Sequence, residues 1–308
     1  MKFKLNVFLS LLTITGVSEI SAQGCSDAGF CTIGSLKHIS NTKQSKSTLT
    51  IGSNFGLGDE GVFVSTQAIQ YDRTLSKVIS IQGKLTSNYA SGDLGNTVAL
   101  GDLFLSSTFK ISESKKWKPQ ATIGIKLPFN NSNIKKNGLA LPMQYQSSLG
   151  TVDVILGASA TISKWQIAAG FQIPITEQNG NQFLPVYWNN SAAINYPPSF
   201  KFQRKSDALL RVAYNIFSSN KLYITTGLLG IYHLSEDAYT NNALINKPIT
   251  NLVGSDGLTL NFTSAVSYNI NNKFSFNVTA GIPLVIRDIR PDGLTRSFVF
   301  APEIAYRF

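Results

Sequence analysis

Charge is scarce in this chain, and so are the residues that build metal centres and hydrolytic sites. Only 14% of the 308 residues are charged, and there are two cysteines and two histidines. Beyond the N-terminus no segment offers the ~18 unbroken apolar residues of a transmembrane helix, although 43% of the chain is hydrophobic. No stretch has the pattern of a long amphipathic helix, and no linker splits the chain. A formal charge of +10 would suit a nucleic-acid partner, but the lysines are scattered through turns and strands and form no stripe, so none is expected. Cys25, Cys31 and His38 lack a fourth candidate ligand, which argues against a zinc site, and no cofactor is expected. His233, in YHLSED, has neither a G-x-S-x-G partner nor a second strand-borne histidine, so an enzyme is not expected.

What the chain does have is alternation. From Phe274 to Ile286 the even positions read Phe, Phe, Val, Ala, Ile, Leu, Ile, and Ser275, Asn277, Thr279 and Gly281 fall between them. Period two places these sets on opposite faces of a strand. The pattern recurs around short polar knots in YNINNKFSFNVTAGI (268–282), YNIFSSNKLYITTGL (214–228), SATISKWQIAAGF (159–171) and FKISESKKWKPQATIGI (109–125). Each is a hairpin with one apolar and one polar face. A soluble sandwich would pack the apolar face on a second sheet, whereas an outer-membrane barrel turns it to lipid and lines its lumen with the polar face.

Three features favour the barrel. MKFKLNVFLSLLTITGVSEISAQ has the lysines, short apolar stretch and small residues of a signal peptide, with cleavage expected after Ala22. Gly24-Cys25 would suit lipidation, but Ala22 and Gln23 stand where a leucine and a small residue are wanted. Strands are predicted at 49–57, 62–71, 78–88, 98–111, 117–128, 151–162, 165–175, 206–217, 221–234, 257–270, 273–286 and 297–308, about twelve, an even number as bacterial barrels require. Tight turns alternate with long polar loops at about 129–148, 176–204 and 236–255, the asymmetry of periplasmic turns and external loops. The last strand, SFVFAPEIAYRF, carries Ile304, Tyr306 and Phe308 on one face and is similar to the C-terminal assembly signal of outer-membrane barrels. Pro302 disturbs it, since proline cannot donate to a ladder; a bulge is the expected remedy.

The expected organisation is a signal peptide at 1–22, a periplasmic or plug segment at 23–46 with a Cys25–Cys31 disulfide, and an all-β, up-and-down antiparallel transmembrane barrel at 47–308. Turning the apolar face outward places Lys84, Lys110, Lys118, Lys126, Arg211, Arg287 and Arg307 in the lumen with Asp102, Asp153, Asp207 and Glu303. His233 shares that register. Charges on the lipid face would cost ~2–4 kcal/mol for a midplane Arg or Lys. The inward bases suit anionic or electron-rich solutes. Phe104, Leu209, Leu229, Ile231 and Val285 are assigned inward too, which suits a partly apolar solute. A twelve-stranded barrel has room for more than side chains, so 25–36, with Phe30 and Ile33, is expected to fold into the lumen as a plug, against a loose periplasmic tail.

LGDLFLSSTFKI (100–111), GIKLPFN (124–130) and QSSLGTVDVILGASATIS (146–163) resemble, in order and spacing, the outer-membrane proteins linked to the meta-pathway of phenol degradation. Those sit among hydrophobic-compound transporters related to the long-chain fatty-acid and toluene channels. The resemblance implies passive uptake of small, hydrophobic or aromatic molecules across the outer membrane of a Gram-negative bacterium. A general or anion-preferring porin, or a non-transporting barrel whose loops bind partners, are the alternatives. Expected partners are outer-membrane lipid and lipopolysaccharide, the barrel-assembly machinery and a small-molecule solute.

Overall fold

The computed structural model describes residues 22–23, 33–37, 45–112, 114, 117–293 and 295–308. The expected signal peptide up to residue 21, and the expected pair Cys25 and Cys31, lie outside the described residues. Among the described residues, no helix is long and apolar enough to cross a membrane.

Twelve strands close into one antiparallel barrel: β1 (Ser47–Leu57), β2 (Phe63–Thr74), β3 (Ile79–Gly92), β4 (Gly95–Lys110), β5 (Trp117–Pro128), β6 (Asp153–Ile162), β7 (Trp165–Pro174), β8 (Asp207–Ser218), β9 (Leu222–His233), β10 (Gly257–Asn269), β11 (Phe274–Val285) and β12 (Val299–Arg307). Each strand pairs with its neighbours in sequence, and β12 closes the ring on β1. The ring therefore has no open edge, as a bilayer demands.

Alternation decides the faces. Ile51, Ile69, Ile123, Phe171, Leu210 and Ile282 are exposed on the outside, a belt too apolar for water and suited to lipid. At the short-turn end aromatic side chains gather. Trp165 lies 4.8 Å from Tyr214, Phe274 4.9 Å from Tyr306, and Tyr306 stacks at 5.5 Å on Phe308. This is the interfacial girdle of a membrane barrel, and Trp165 and Phe274, which follow polar knots, are part of it.

Three details differ from the sequence reading. β3 and β4 run on to Gly92 and back from Gly95 around a turn at Asp93-Leu94, where a loop at 89–97 was expected. Polar residues of this hairpin bind a long loop: Asn88 donates to the carbonyl of Ser147 at 2.5 Å and Thr97 to that of Tyr145 at 2.7 Å. Val285 is exposed, not inward, because the β10–β11 register shifts at Leu260/Asn261 and breaks the alternation near the end of β11. Pro302 is not absorbed by a bulge. Pairing to β1 lapses at Ala301 and Pro302 and resumes at Glu303 in the same register, so the missing donor falls as a gap on the β1 side, while Pro302 still pairs opposite Val278 on β11.

Candidate functional site

The lumen is filled from three directions. From the wall come Phe104, Ile155, Ala168, Leu209, Leu229 and Ile231; the long loops add Met143, Leu149, Phe202 and Leu252; a single turn at Gly34–Leu36 adds Ile33 and Leu36. All are buried in one apolar cluster. Four of the five apolar residues assigned inward from sequence, Phe104, Leu209, Leu229 and Ile231, meet here.

The turn is bonded to the wall on several sides. Gly34 N–H donates to Gln82 at 2.7 Å and Ser35 N–H to Thr122 at 3.0 Å. Arg211 donates to the carbonyl of Leu36, and Gln166 to that of Lys37 at 2.9 Å. Lys37 Nζ sits 3.3 Å from Asp72. Gly34 has φ +49°, and a Cβ there would come 2.5 Å from Thr108, so both the backbone and the wall call for glycine. The backbone of Ala22–Gln23 pairs with Thr295–Arg296, between β11 and β12 at the long-loop end.

Above the turn, two buried ion networks fasten the long loops. In one, Lys126 lies 2.7 Å from Asp153, whose carboxylate also accepts from Thr151 at 2.6 Å and from Gln172. Asp102 accepts from Ser148 at 2.5 Å. In the other, Arg204 bridges Asp207 and Asp292, and Arg287 donates to Asp292 at 2.9 Å and to the Ser255 carbonyl at 2.6 Å. His233 Nδ1 lies 2.7 Å from Asp207 and Nε2 2.8 Å from Asp237. Carboxylates accept, so both ring nitrogens are engaged and neither is left to activate a hydroxyl. Burial works against the charge on Arg204, but Asp207, then Asp292 and Asp237, outweigh it and its pKa is raised. Burial likewise opposes ionisation of Asp292, yet Arg287 and Arg204 hold its carboxyl below the usual range.

The sequence-derived residues therefore separate. Asp102, Lys126 and Asp153 belong to the first network; Asp207, His233 and Arg287 belong to the second; Arg211 holds the turn. Arg307 is buried at the short-turn end, donating to Asn269 at 3.0 Å. Lys84 is buried on β3, Lys110 is half-buried and Lys118 exposed near the β4–β5 turn. Glu303, on the inward face of β12 opposite Gly52, remains exposed, so the lumen is not packed solid along β12 and β1. Arg204, Asp237 and Asp292 were missed because they lie in loops, where no alternation marks the direction of a side chain.

The mouth at the long-loop end is covered. Val62, Val64, Ala90 and Leu94 on the rim pack under Ala140, Leu141, Tyr145, Phe183, Ala193 and Tyr196 of the two longest loops. Trp188 fixes its indole to the carbonyl of Ala140 at 3.0 Å. Asn181 donates to the carbonyls of Ser132 and Leu141 and so ties one loop to the other.

The sequence matches no described family and no curated protein. Among solved structures the chain is similar to an outer membrane channel from Pseudomonas putida F1, at 14% identity and a TM-score of 0.60, covering 88% of this chain and 100% of that one. The NanC porin (7% identity, TM-score 0.47, covering 84% and 100%) and the CymD monoaromatic hydrocarbon channel (8%, 0.41, 86% and 89%) are more distant. Only the first reaches the level of a shared fold, that of an outer-membrane barrel.

Proposed function

We propose that the protein is an outer-membrane channel for passive uptake of small, partly apolar solutes, with the 33–37 turn as its plug. The apolar cluster inside the barrel is the observation that carries this reading. A water-filled porin keeps a polar interior and gains nothing from burying Phe104, Leu229, Ile231, Met143 and Phe202 together. A solute that can enter such an interior must itself shed water readily. The fold shared with a bacterial outer membrane channel supports the reading. The apolar belt would face outer-membrane lipid and lipopolysaccharide, and β12 would be the strand presented to the barrel-assembly machinery.

A second reading, an anion-preferring pore, draws on one observation. Lys84, Lys110, Arg211 and Arg307 lie on the wall below the two networks, where Glu303 is an inward carboxylate. Planar-bilayer recording and liposome swelling separate the two. Low conductance, no swelling in arabinose and measurable flux of benzyl alcohol are expected. A large, steady, anion-selective conductance would favour the porin, and no flux of any solute would make this a non-transporting barrel.

A further inference from the structure

Leu36 occupies a slot that the wall has shaped for it. Its floor is Gly157 of β6 and Gly170 of β7, directly paired across the two strands. A Cβ would come 2.8 Å from Leu36 at Gly157 and 2.9 Å at Gly170. At Gly157 all three nearest atoms belong to Leu36, so the missing side chain there serves nothing but the room for its occupant. Ile155, Ala168 and Leu209 belong to the same apolar cluster. Arg211 stands at the rim, paired opposite Ala168 on the next strand, and donates its guanidinium to the carbonyl oxygen of Leu36. Gln166 adds an amide donor one residue further on, at Lys37.

Side chain, Cα and carbonyl of Leu36 together form a branched hydrocarbon ending in an oxygen held by a buried guanidinium. Without the peptide nitrogen, that skeleton is 4-methylpentanoate. A carboxylate would satisfy Arg211 better than the amide carbonyl now does, because it brings the opposite charge and the guanidinium fork fits both of its oxygens. We propose that this slot is a binding site for short branched-chain carboxylates, and that Leu36 fills it as a tethered competitor until the plug withdraws. The proposal rests on the reading of 33–37 as a plug. A tethered group competes at an effective concentration of roughly mM, so the intact protein holds a free carboxylate weakly and removal of the competitor tightens binding.

The test is equilibrium dialysis of radiolabelled 4-methylpentanoate, and of the neutral 4-methylpentanamide, against the full chain in lipid nanodiscs, with heat-modifiable mobility confirming each barrel. Gly34→Val with Leu36→Ser should bind the carboxylate about ten-fold more tightly than the parent, with a smaller gain for the amide, because a Cβ at Gly34 meets Thr108 at 2.5 Å and unseats the turn, so that the carbonyl of residue 36 leaves Arg211 together with the side chain. Addition of Gly157→Ala to this pair should lose that gain, since the new methyl group fills the floor. Addition of Arg211→Gln to the pair should lose the preference for carboxylate over amide. Equal gains for both compounds, or a preference that survives Arg211→Gln, would overturn the carboxylate site. A Gly34→Val, Leu36→Ser protein that binds neither compound better than the parent, or a gain untouched by Gly157→Ala, would overturn the slot without any need for Arg211→Gln to fold. Flux of benzyl alcohol is measured on the same proteins, so a channel that conducts but shows no such binding loses this site alone.

Discussion

Ser47 and Phe308 exchange both of their backbone hydrogen bonds, Ser47 N–H to Phe308 O at 3.1 Å and Phe308 N–H to Ser47 O at 3.0 Å. The first residue of the barrel is thus locked to the last of the chain, as a reciprocal pair at the end of an antiparallel ladder. The Phe308 ring stacks on Tyr306 and reaches Tyr71 at 6.4 Å. The ladder above this point is interrupted at Pro302, which leaves the seam more dependent on its terminal pair.

Deletion of Phe308 should therefore lower the outer-membrane yield several-fold and abolish heat-modifiable mobility in part of the product. Tyr306→Ser with Phe308→Ser keeps the backbone bonds but removes stacked pairs worth ~0.5–1.5 kcal/mol each beyond buried area, and should show an intermediate defect. Unchanged yield and mobility in both variants would show that the seam does not depend on its last residues.

The loop cap makes a separate prediction. Tyr145 OH lies 3.2 Å from Tyr196 OH and accepts from the backbone N–H of Leu94 at 3.1 Å. Burial, reinforced by that bond to Tyr145, raises the pKa of Tyr196, so its phenol stays protonated at neutral pH. Tyr145→Phe leaves a buried backbone donor without its acceptor, a loss of about 1–3 kcal/mol, whereas Tyr196→Phe removes one hydrogen bond worth ~1 kcal/mol. Trypsin cleavage after Lys135, Lys136 and Lys201 on intact cells should be faster in Tyr145→Phe than in Tyr196→Phe, and slowest in the parent. The reverse order of the two variants would place the anchor elsewhere. Cleavage at these lysines in intact cells also fixes the orientation, because long loops facing outside are reachable and the turn at Ser219 is not.

The second ion network predicts how the long-loop end responds to pH. Asp292 titrates below the unfolded value of ~3.9 in the folded protein. Its contribution to loop anchoring is then complete above about pH 4 and lost as pH falls through the lower folded-state value. Hydrogen exchange in 286–293 should stay slow from pH 8 down to 5, after correction for the intrinsic rate, and quicken only below about pH 4. Arg204→Met should make the same segment exchange fast at neutral pH, since removal of one partner from a buried ion pair costs ~3–5 kcal/mol. Protection lost already at pH 6 would mean that the segment is held by something other than these carboxylates.

Much of this was legible in the residues. All twelve strands were marked by alternation, because on a lipid-facing wall the chemistry of the two faces differs most. The same rule placed Lys126, Asp153 and Arg211 inward. It fails where the backbone leaves register: one shift in the β10–β11 pairing turned Val285 outward. It is silent in loops, so neither the partners Arg204, Asp237 and Asp292 nor the lumen-filling Met143, Leu149, Phe202 and Leu252 could be read beforehand. The slot for Leu36 was hidden for another reason. Gly157 and Gly170 look like ordinary strand glycines, and only the three-dimensional pairing sets them side by side beneath a residue more than a hundred positions away.

The plug itself yields the last prediction. Ile33 and Leu36 are fully buried in the lumen, which contributes ~1.5–3 kcal/mol for each side chain, and the bonds from Gln82, Thr122, Gln166 and Arg211 add to this. On the proposed reading this seat makes the turn narrow the lumen, and its removal is expected to leave the barrel folded. Deletion of residues 25–40 removes the turn and retains the strand that begins at Ser47. The variant should insert normally, show a several-fold larger single-channel conductance, and sensitise cells to small antibiotics. Arg211→Gln, which loosens the turn without removing it, should give brief openings of the larger size. If the deletion variant is inserted and heat-modifiable but conducts like the parent, the loop cap alone closes the barrel and the turn is an ornament of the wall.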